Sequence, residues 1–292
     1  MSRFQLLSDN QWGMIADLLP GPTGRQGRPF ADARTMVEGI IYRYRCGIAW
    51  RDLPEVFGPW QTVWRWHARM AREGSWDLVQ ARLHEHADRA GLIDWSVSVD
   101  STIARAHQHA TNVARVKKGS SNYKNLLIEP LDHAIGRSRG GLSTKTHQLV
   151  DGQGLPLVTI CTAGQDGDSP MLIPLMEQLR VGRRNRPDAL LGDKAYSSRA
   201  NRTHLRDRGI EAVIPEPRDQ QANRKRRGSR GGRPPRFDAE KYRDRNAIER
   251  GYCRLKQWRG LATRYDKLAI VYRASVVLNG VIAWLNYLRD TP

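Results

Sequence analysis

Residues 95–102, WSVSVDST, alternate without a break. Trp95, Val97 and Val99 fall on one face of an extended chain and Ser96, Ser98 and Asp100 on the other, a period that a helix does not carry. The stretch reads as a strand with one buried face, and it ends by presenting a carboxylate on the polar face. It also divides the chain. Before it the periodicity is helical, and after it strands and helices follow one another.

Upstream, Ser8 is a candidate N-cap for a helix over 8–19, with Trp12, Ile15, Leu18 and Leu19 at helical spacing. Gly and Pro make 21–30 a loop. Residues 31–47 read as a helix with Met36, Ile40 and Ile41 inward and Arg34, Arg43 and Arg45 outside. Residues 48–91 continue as short helices broken at Pro54 and at Gly58-Pro59. Short helices, tight turns and a basic face suit a helix-turn-helix-like DNA-binding domain over residues 1–90, and a plain helical bundle with a basic surface has the same spacing.

Downstream, the stretch to about residue 141 is rich in Gly, Ser, Lys and Arg without a period, and reads as a long loop. Residues 144–164 read as a hairpin around Asp151-Gly152. A helix (168–180), a short buried strand stopping at Gly192-Asp193, a second helix (198–209) and a strand (210–215) follow. Residues 216–237 are basic and rich in Gly and Pro, with Arg224, Lys225, Arg226, Arg227 and Arg230 clustered. Such a segment is expected to lack order without a partner, and these five cations are expected to contact DNA. The apolar run 268–288 is long enough to span a bilayer, but it carries Arg273, Asn279 and Asn286 and reads as a buried helix.

Three carboxylates share a pattern in this layout. Asp100 ends one strand, Asp193 ends another, and Glu249 sits on a helix beyond the basic segment. Hard oxygen ligands with an open remainder suit Mg²⁺ or, as a substitute, Mn²⁺. Two such ions about 3.5–4 Å apart can activate an attacking oxygen and stabilise a leaving one in phosphodiester displacement. With a helical step of about 100°, Tyr242, Arg245, Glu249 and Lys256 fall in a sector roughly 60° wide. A solvated face held by the i,i+4 pair Arg245–Glu249 is the plain account of that stripe. Charge favours another. The chain has 48 Lys plus Arg against 30 Asp plus Glu, a formal net charge of +18, and such an excess attracts polyanions, nucleic acid first among them.

These features together resemble the DDE transposases of bacterial insertion sequences, in the subgroup marked by Y, two residues, R, three residues, E, six residues, K. Tyr242, Arg245, Glu249 and Lys256 match that pattern at every spacing. VSVDST at Asp100, GRSRGGLSTKTH (136–147), LLGDKAYSS at Asp193 and AIERGYCRLKQWRGLATRYDKLA (247–269) are similar to that family's blocks. Residues 47–76 are similar to its helical DNA-binding region. The resemblance implies an α/β fold, an RNase H-like mixed sheet flanked by helices over residues 91–292, preceded by a small all-helical DNA-binding domain. It implies that Asp100 bridges two Mg²⁺ ions while Asp193 and Glu249 each hold one. It further implies that Tyr242, Arg245, Lys256 and Lys194 contact double-stranded DNA, and that a homodimer or larger homo-oligomer joins two transposon ends to one target.

Other acids rank lower. Asp151 sits in a turn that favours Asp, and Asp166 and Asp168 lie in a Gly-flanked loop. The pairs His84/His86 and His107/His109 point apart on a helix, so no softer metal site competes. Cys46, Cys161 and Cys253 lie far apart and read as core residues in a reducing cytoplasm. Residues 1–20 lack the apolar core and cleavage site of a signal peptide. Two rival functions share the carboxylates or the charge: a metal-dependent nuclease without strand transfer, and a transposase-derived DNA-binding protein without catalysis.

Overall fold

A computed structural model of the chain describes residues 4–21, 31–114 and 125–289. The first helix, α1 (Asp9–Gly13), opens on the capping box of Ser8 and Gln11, each side chain satisfying the other's backbone N–H. It closes at Met14, and a 3-10 turn over Ala16–Leu18 replaces the rest of the expected helix while Ile15 enters the core. Most of the expected loop 21–30 lies outside the described residues, as does the middle of the one before residue 141. Helices α2 (Ala33–Cys46), α3 (Trp60–Glu73) and α4 (Ser75–Arg89) follow, with 3-10 turns over Trp50–Asp52 and Glu55–Phe57 where the prolines interrupt. Gly74 ends α3 and starts α4 in the left-handed conformation (φ 69°), which lets two helices meet without a linker.

Arg43 is buried, not outside. Its guanidinium lies over the rings of Tyr44 and Trp50 and 3.8 Å from Asp266, so cation–π contact and a buried carboxylate replace its water. Sequence spacing could not show this, because Asp266 comes from the far end of the chain.

The sheet is built from β1 (Ser96–Ala106), β2 (Gly136–Ser138), β3 (Gly141–Val150), β4 (Pro156–Ala163), β5 (Ala189–Gly192), β6 (Glu211–Val213) and β7 (Thr263–Arg264). A four-residue helix, α5 (Gln108–Thr111), follows β1. β3 pairs antiparallel with β1 and with β4, as the Asp151-Gly152 turn led us to expect, and β5 and β6 run parallel to β1 on its other side. The main order is therefore β4-β3-β1-β5-β6, with β2 against the start of β3 and β7 against the end of β1. Helices α6 (Leu172–Gln178) and α7 (Arg199–Asp207) connect the parallel strands.

Near the C-terminus come α8 (Arg218–Arg226), α9 (Ala239–Tyr242), α10 (Asn246–Lys256), α11 (Arg259–Ala262) and α12 (Ala269–Arg289). Helix α12 has the length and apolarity of a membrane span, and 78% of that window is buried inside the protein. It joins the two regions. Trp284 Nε1 and Gln80 Nε2 donate to Pro156 O at the start of β4, and His84 Nε2 lies 3.1 Å from the same oxygen. Arg273 pairs with Asp77 of α4 and donates to Thr159 O of β4. One apolar core runs from Leu7 through α2–α4 and α12 to the central strands.

Candidate active site

Strand register brings the two aspartates together. The parallel β1–β5 ladder ends at Val99↔Gly192, and the next residue on each strand is Asp100 and Asp193. Neighbouring strands lie about 4.8 Å apart, so the two carboxylates start from adjacent backbone positions. β1 does not stop at Asp100, as alternation suggested. Its pairing with β3 continues through Asp100↔Gln148 to Arg105↔Ser143, so Asp100 lies mid-strand where only the β5 side has ended.

Each aspartate is oriented locally. Asp100 Oδ1 accepts the Ser101 N–H at 2.7 Å, and its backbone carbonyl accepts the Tyr252 hydroxyl of α10 at 2.7 Å. Asp193 caps the 3-10 turn Lys194–Tyr196 by accepting the Ala195 N–H at 2.9 Å. Burial pushes the Asp100 carboxyl above its ordinary range, and the charge of Asp193 adds to this. The Ser101 N–H and Arg245 pull the other way.

The helix that carries Glu249 is not continuous with Tyr242. Helix α9 ends at Tyr242, a 3-10 turn spans Arg243–Arg245, and α10 begins at Asn246. Tyr242 stays on the side of Arg245, whose guanidinium lies 5.7 Å from the centre of its ring, because residues three apart eclipse in a 3-10 turn. Its ring packs on Ala189, Leu191 and Val213 and lies 5.3 Å from that of Phe237. Arg245 bridges the remaining acids. Nη1 donates to Asp100 Oδ2 at 2.9 Å and Nη2 to Glu249 Oε1 at 2.5 Å. Lys256 is exposed at the last position of α10, and Lys194 is exposed directly after Asp193. Trp258 is buried in the core.

The basic segment is ordered where the sequence suggested otherwise. Arg218–Arg226 form α8, a helix without a buried residue, and Gly228–Gly231 a 3-10 turn. Gln220 fixes it by hydrogen bonds with Ser197 at 3.0 Å, and Arg224 pairs with Glu216. Lys225, Arg226, Arg227 and Arg230 are exposed. Cys253 is exposed on α10, not in the core, because Ile248, Tyr252 and Leu255 form that helix's inner face.

The donor set suits a hard divalent cation. Three carboxylates from β1, the end of β5 and α10 supply oxygen only, the donor type such an ion takes. Among the described residues no three His, Cys, Asp or Glu side chains are grouped closely enough to enclose an ion. Arg245 instead provides the positive charge between Asp100 and Glu249. Asp100, Asp193 and Glu249 would hold the cation, leaving the rest of its shell to water and phosphate oxygens.

Sequence reasoning passed over a polar group on the other face of β1. Ser101 Oγ donates to Asp168 Oδ1 at 2.6 Å, and Lys145 Nζ lies 3.0 Å from the same oxygen. Burial lowers the His147 imidazole, 3.7 Å from Asp168, to about 4. The only signal was STKTH at 143–147, whose alternation places Lys145 and His147 on one face.

An antiparallel three-stranded half continued by two parallel strands, with two acids at the junction, defines the RNase H-like class. Residues 94–284 match the family model described as "Transposase DDE domain", and residues 7–80 that described as "Putative transposase of IS4/5 family". The chain belongs to the DDE transposase family. It is 32% identical over 159 residues to the "Putative transposase for insertion sequence element IS402" of Burkholderia cepacia, covering 52% of this chain and 67% of that one. Against the "Putative transposase for insertion sequence element IS6501" of Brucella ovis it is 31% identical over 146 residues, 50% of this chain and 100% of that one. A solved structure, "Crystal structure of a pre-cleavage Mos1 transpososome", is similar at 12% identity and a TM-score of 0.27, covering 93% of this chain and 83% of that one.

Proposed function

We propose that this transposase binds the terminal inverted repeats of its own insertion sequence, cleaves the DNA ends by metal-dependent hydrolysis and joins the freed 3′-hydroxyls to target DNA. The observation that carries the reading is the adjacency of Asp100 and Asp193 beyond the last β1–β5 rung, with Glu249 tied to Asp100 through Arg245. Mg²⁺ or Mn²⁺, when bound, supplies Lewis-acid activation of the attacking oxygen and neutralises charge on the leaving one.

The chain's own residues do the rest. Asp100, Asp193 and Glu249 fix the cations on a strand, a strand end and a helix, elements stiff enough to hold a reactive geometry. Arg245 would meet a phosphate beside the scissile bond, and Lys256 another further along α10. Tyr242 packs against the same strand of DNA. Lys194 and the exposed cations of α8 extend the track along the backbone, and the Arg-bearing helices of residues 1–90 recognise the repeat. Two ends and one target require at least two copies of the chain acting together in the cytoplasm, where the element's DNA lies.

The test is a strand-transfer assay with the full chain, Mg²⁺, a labelled duplex carrying the element's end and a supercoiled target plasmid. Joined products appear on this reading. Cleavage without joining assigns the chain to nucleases, and binding with neither product assigns it to non-catalytic DNA-binding proteins.

A further inference from the structure

Asp100 and Asp193 are also joined beneath the sheet. Ser101 points to the face opposite Asp100, where its hydroxyl donates to Asp168 Oδ1 at 2.6 Å. Lys145, on β3, holds the same oxygen at 3.0 Å and donates to the Asp166 carbonyl at 2.7 Å. The next residue, Ser169, accepts from Asn201 Nδ2 at its carbonyl (3.0 Å) and its hydroxyl (3.1 Å). That amide also donates to the Tyr196 carbonyl at 3.0 Å, in the turn that Asp193 caps. Hydrogen bonds, with the Asp168–Ser169 peptide bond between them, therefore link Asp100 through Ser101, Asp168, Ser169, Asn201 and Tyr196 to Asp193.

The chain's composition fits positioning better than plain stability. Lys145 is 9% and Asn201 2% exposed. The ion pair is only partly buried, with the Asp168 side chain 30% exposed; such a pair adds little stability compared with apolar residues of the same volume, but it fixes direction and distance. Asp168 is already neutralised by Lys145 and bonded by Ser101, so it is poorly placed to serve as a fourth cation ligand. What it does hold is the pleat of β1 at the residue after Asp100, while Asn201 holds the turn after Asp193.

We propose that Asp168 and Ser101, with Lys145 and Asn201, are positioning residues that set the separation of Asp100 and Asp193 for the cleavage reaction. The inference rests on the function proposed above. Catalysis is steep in geometry, and a misplacement near 1 Å can cost about 100-fold, so loosening this chain lowers turnover without touching DNA affinity.

The test uses the full chain with Ser101→Ala, Ser101→Thr and Asp168→Asn, each first matched to wild type by thermal melting. Mn²⁺ binding is titrated by electron paramagnetic resonance, and cleavage of a labelled element end is timed at saturating DNA. Ser101→Ala and Asp168→Asn are expected to slow cleavage about 10- to 100-fold and to weaken Mn²⁺ binding several-fold, at unchanged gel-shift affinity. Ser101→Thr, which keeps the hydroxyl, restores most of both. Wild-type cleavage and Mn²⁺ affinity in a Ser101→Ala protein overturn the proposal, and that variant decides the matter if Asp168→Asn does not fold. If the wild-type chain binds Mn²⁺ but cuts no DNA, the transposase chemistry fails, and the Mn²⁺ titrations still judge the positioning. A wild-type chain that binds no Mn²⁺ overturns both.

Discussion

Arg245 Nη1 lies 2.9 Å from Asp100 Oδ2, and its guanidinium is the only charge-bearing link between the strand and the α10 acid among the described contacts. A guanidinium between two carboxylates offsets their repulsion while holding a position that a cation would neutralise in another way. Arg245→Ala is therefore expected to lower stability by about 1–3 kcal/mol in the absence of divalent ions. Adding Mg²⁺ then raises the melting temperature more in the variant than in the wild type, since a ligand stabilises the state that binds it better. Paired melting scans with and without Mg²⁺ check this, and an equal or smaller rise in the variant contradicts it.

Asp151 gives a pH dependence with a definite sign. Its Oδ1 accepts the N–H groups of Gln153 and Leu155, yet burial raises its carboxyl to about 7, with the nearby charge of Asp94 adding to the shift. An unfolded aspartate ionises near 3.9, so between about pH 4 and pH 7 the folded state keeps a proton that the unfolded state has lost. Stability is full at the acid side of that window and falls as pH rises through it, by an amount on the order of a few kcal/mol. Asp151→Asn removes the titrating group and keeps the Oδ1 acceptor. Its melting temperature relative to wild type should improve from about pH 5 to about pH 8, and parallel curves for the two proteins would rule the effect out.

Much of this was legible in the sequence because it rests on local pattern. The alternation at 95–100, the Asp151-Gly152 turn, the cap at Ser8 and the strand stopping at Gly192 each need only a few residues to declare themselves. The three carboxylates could be named, but not their arrangement, because the Val99↔Gly192 register joins segments far apart in sequence. Long-range pairing also hid Arg43 against Asp266 and Ser101 against Asp168. The basic segment lacked any apolar face to signal order, and α8 is held instead by Gln220 on Ser197.

The N-terminal helices and the sheet should melt as one body. Trp284 is fully buried in α12, donates to Pro156 O at 2.8 Å and packs its ring 5.1 Å from that of His84 in α4. Trp284→Ala is expected to cost about 3–5 kcal/mol through the lost burial and the cavity. Far-UV circular dichroism and tryptophan fluorescence are expected to report the same lowered midpoint. Two separated transitions in the wild type would show that residues 1–90 fold apart from the sheet.

The exposed cations of α8 and its following turn are expected to add a salt-dependent contribution to DNA binding. Changing Lys225, Arg226, Arg227 and Arg230 to Gln removes charges that would release counterions from DNA, whereas Arg224 is already paired with Glu216. The slope of log affinity against log salt should fall by about three to four, similarly for specific and scrambled duplexes. Gel shifts across a salt series measure it, and an unchanged slope removes α8 from the DNA track.

The central claim is that Asp100, Asp193 and Glu249 act together on a scissile phosphate, and single Ala substitutions test it most directly. Cleavage of a labelled element end with Mg²⁺ or Mn²⁺ is timed beside a gel shift on the same DNA, with Asp166→Ala as the folded control. Each of the three variants is expected to lose cleavage and strand transfer by at least about 100-fold, since a lost ligand displaces a cation further than catalysis tolerates. DNA binding should stay within a few-fold of wild type, because Lys and Arg supply that affinity. A Glu249→Ala protein that cuts at the wild-type rate would contradict the account and return Glu249 to one half of a surface pair with Arg245.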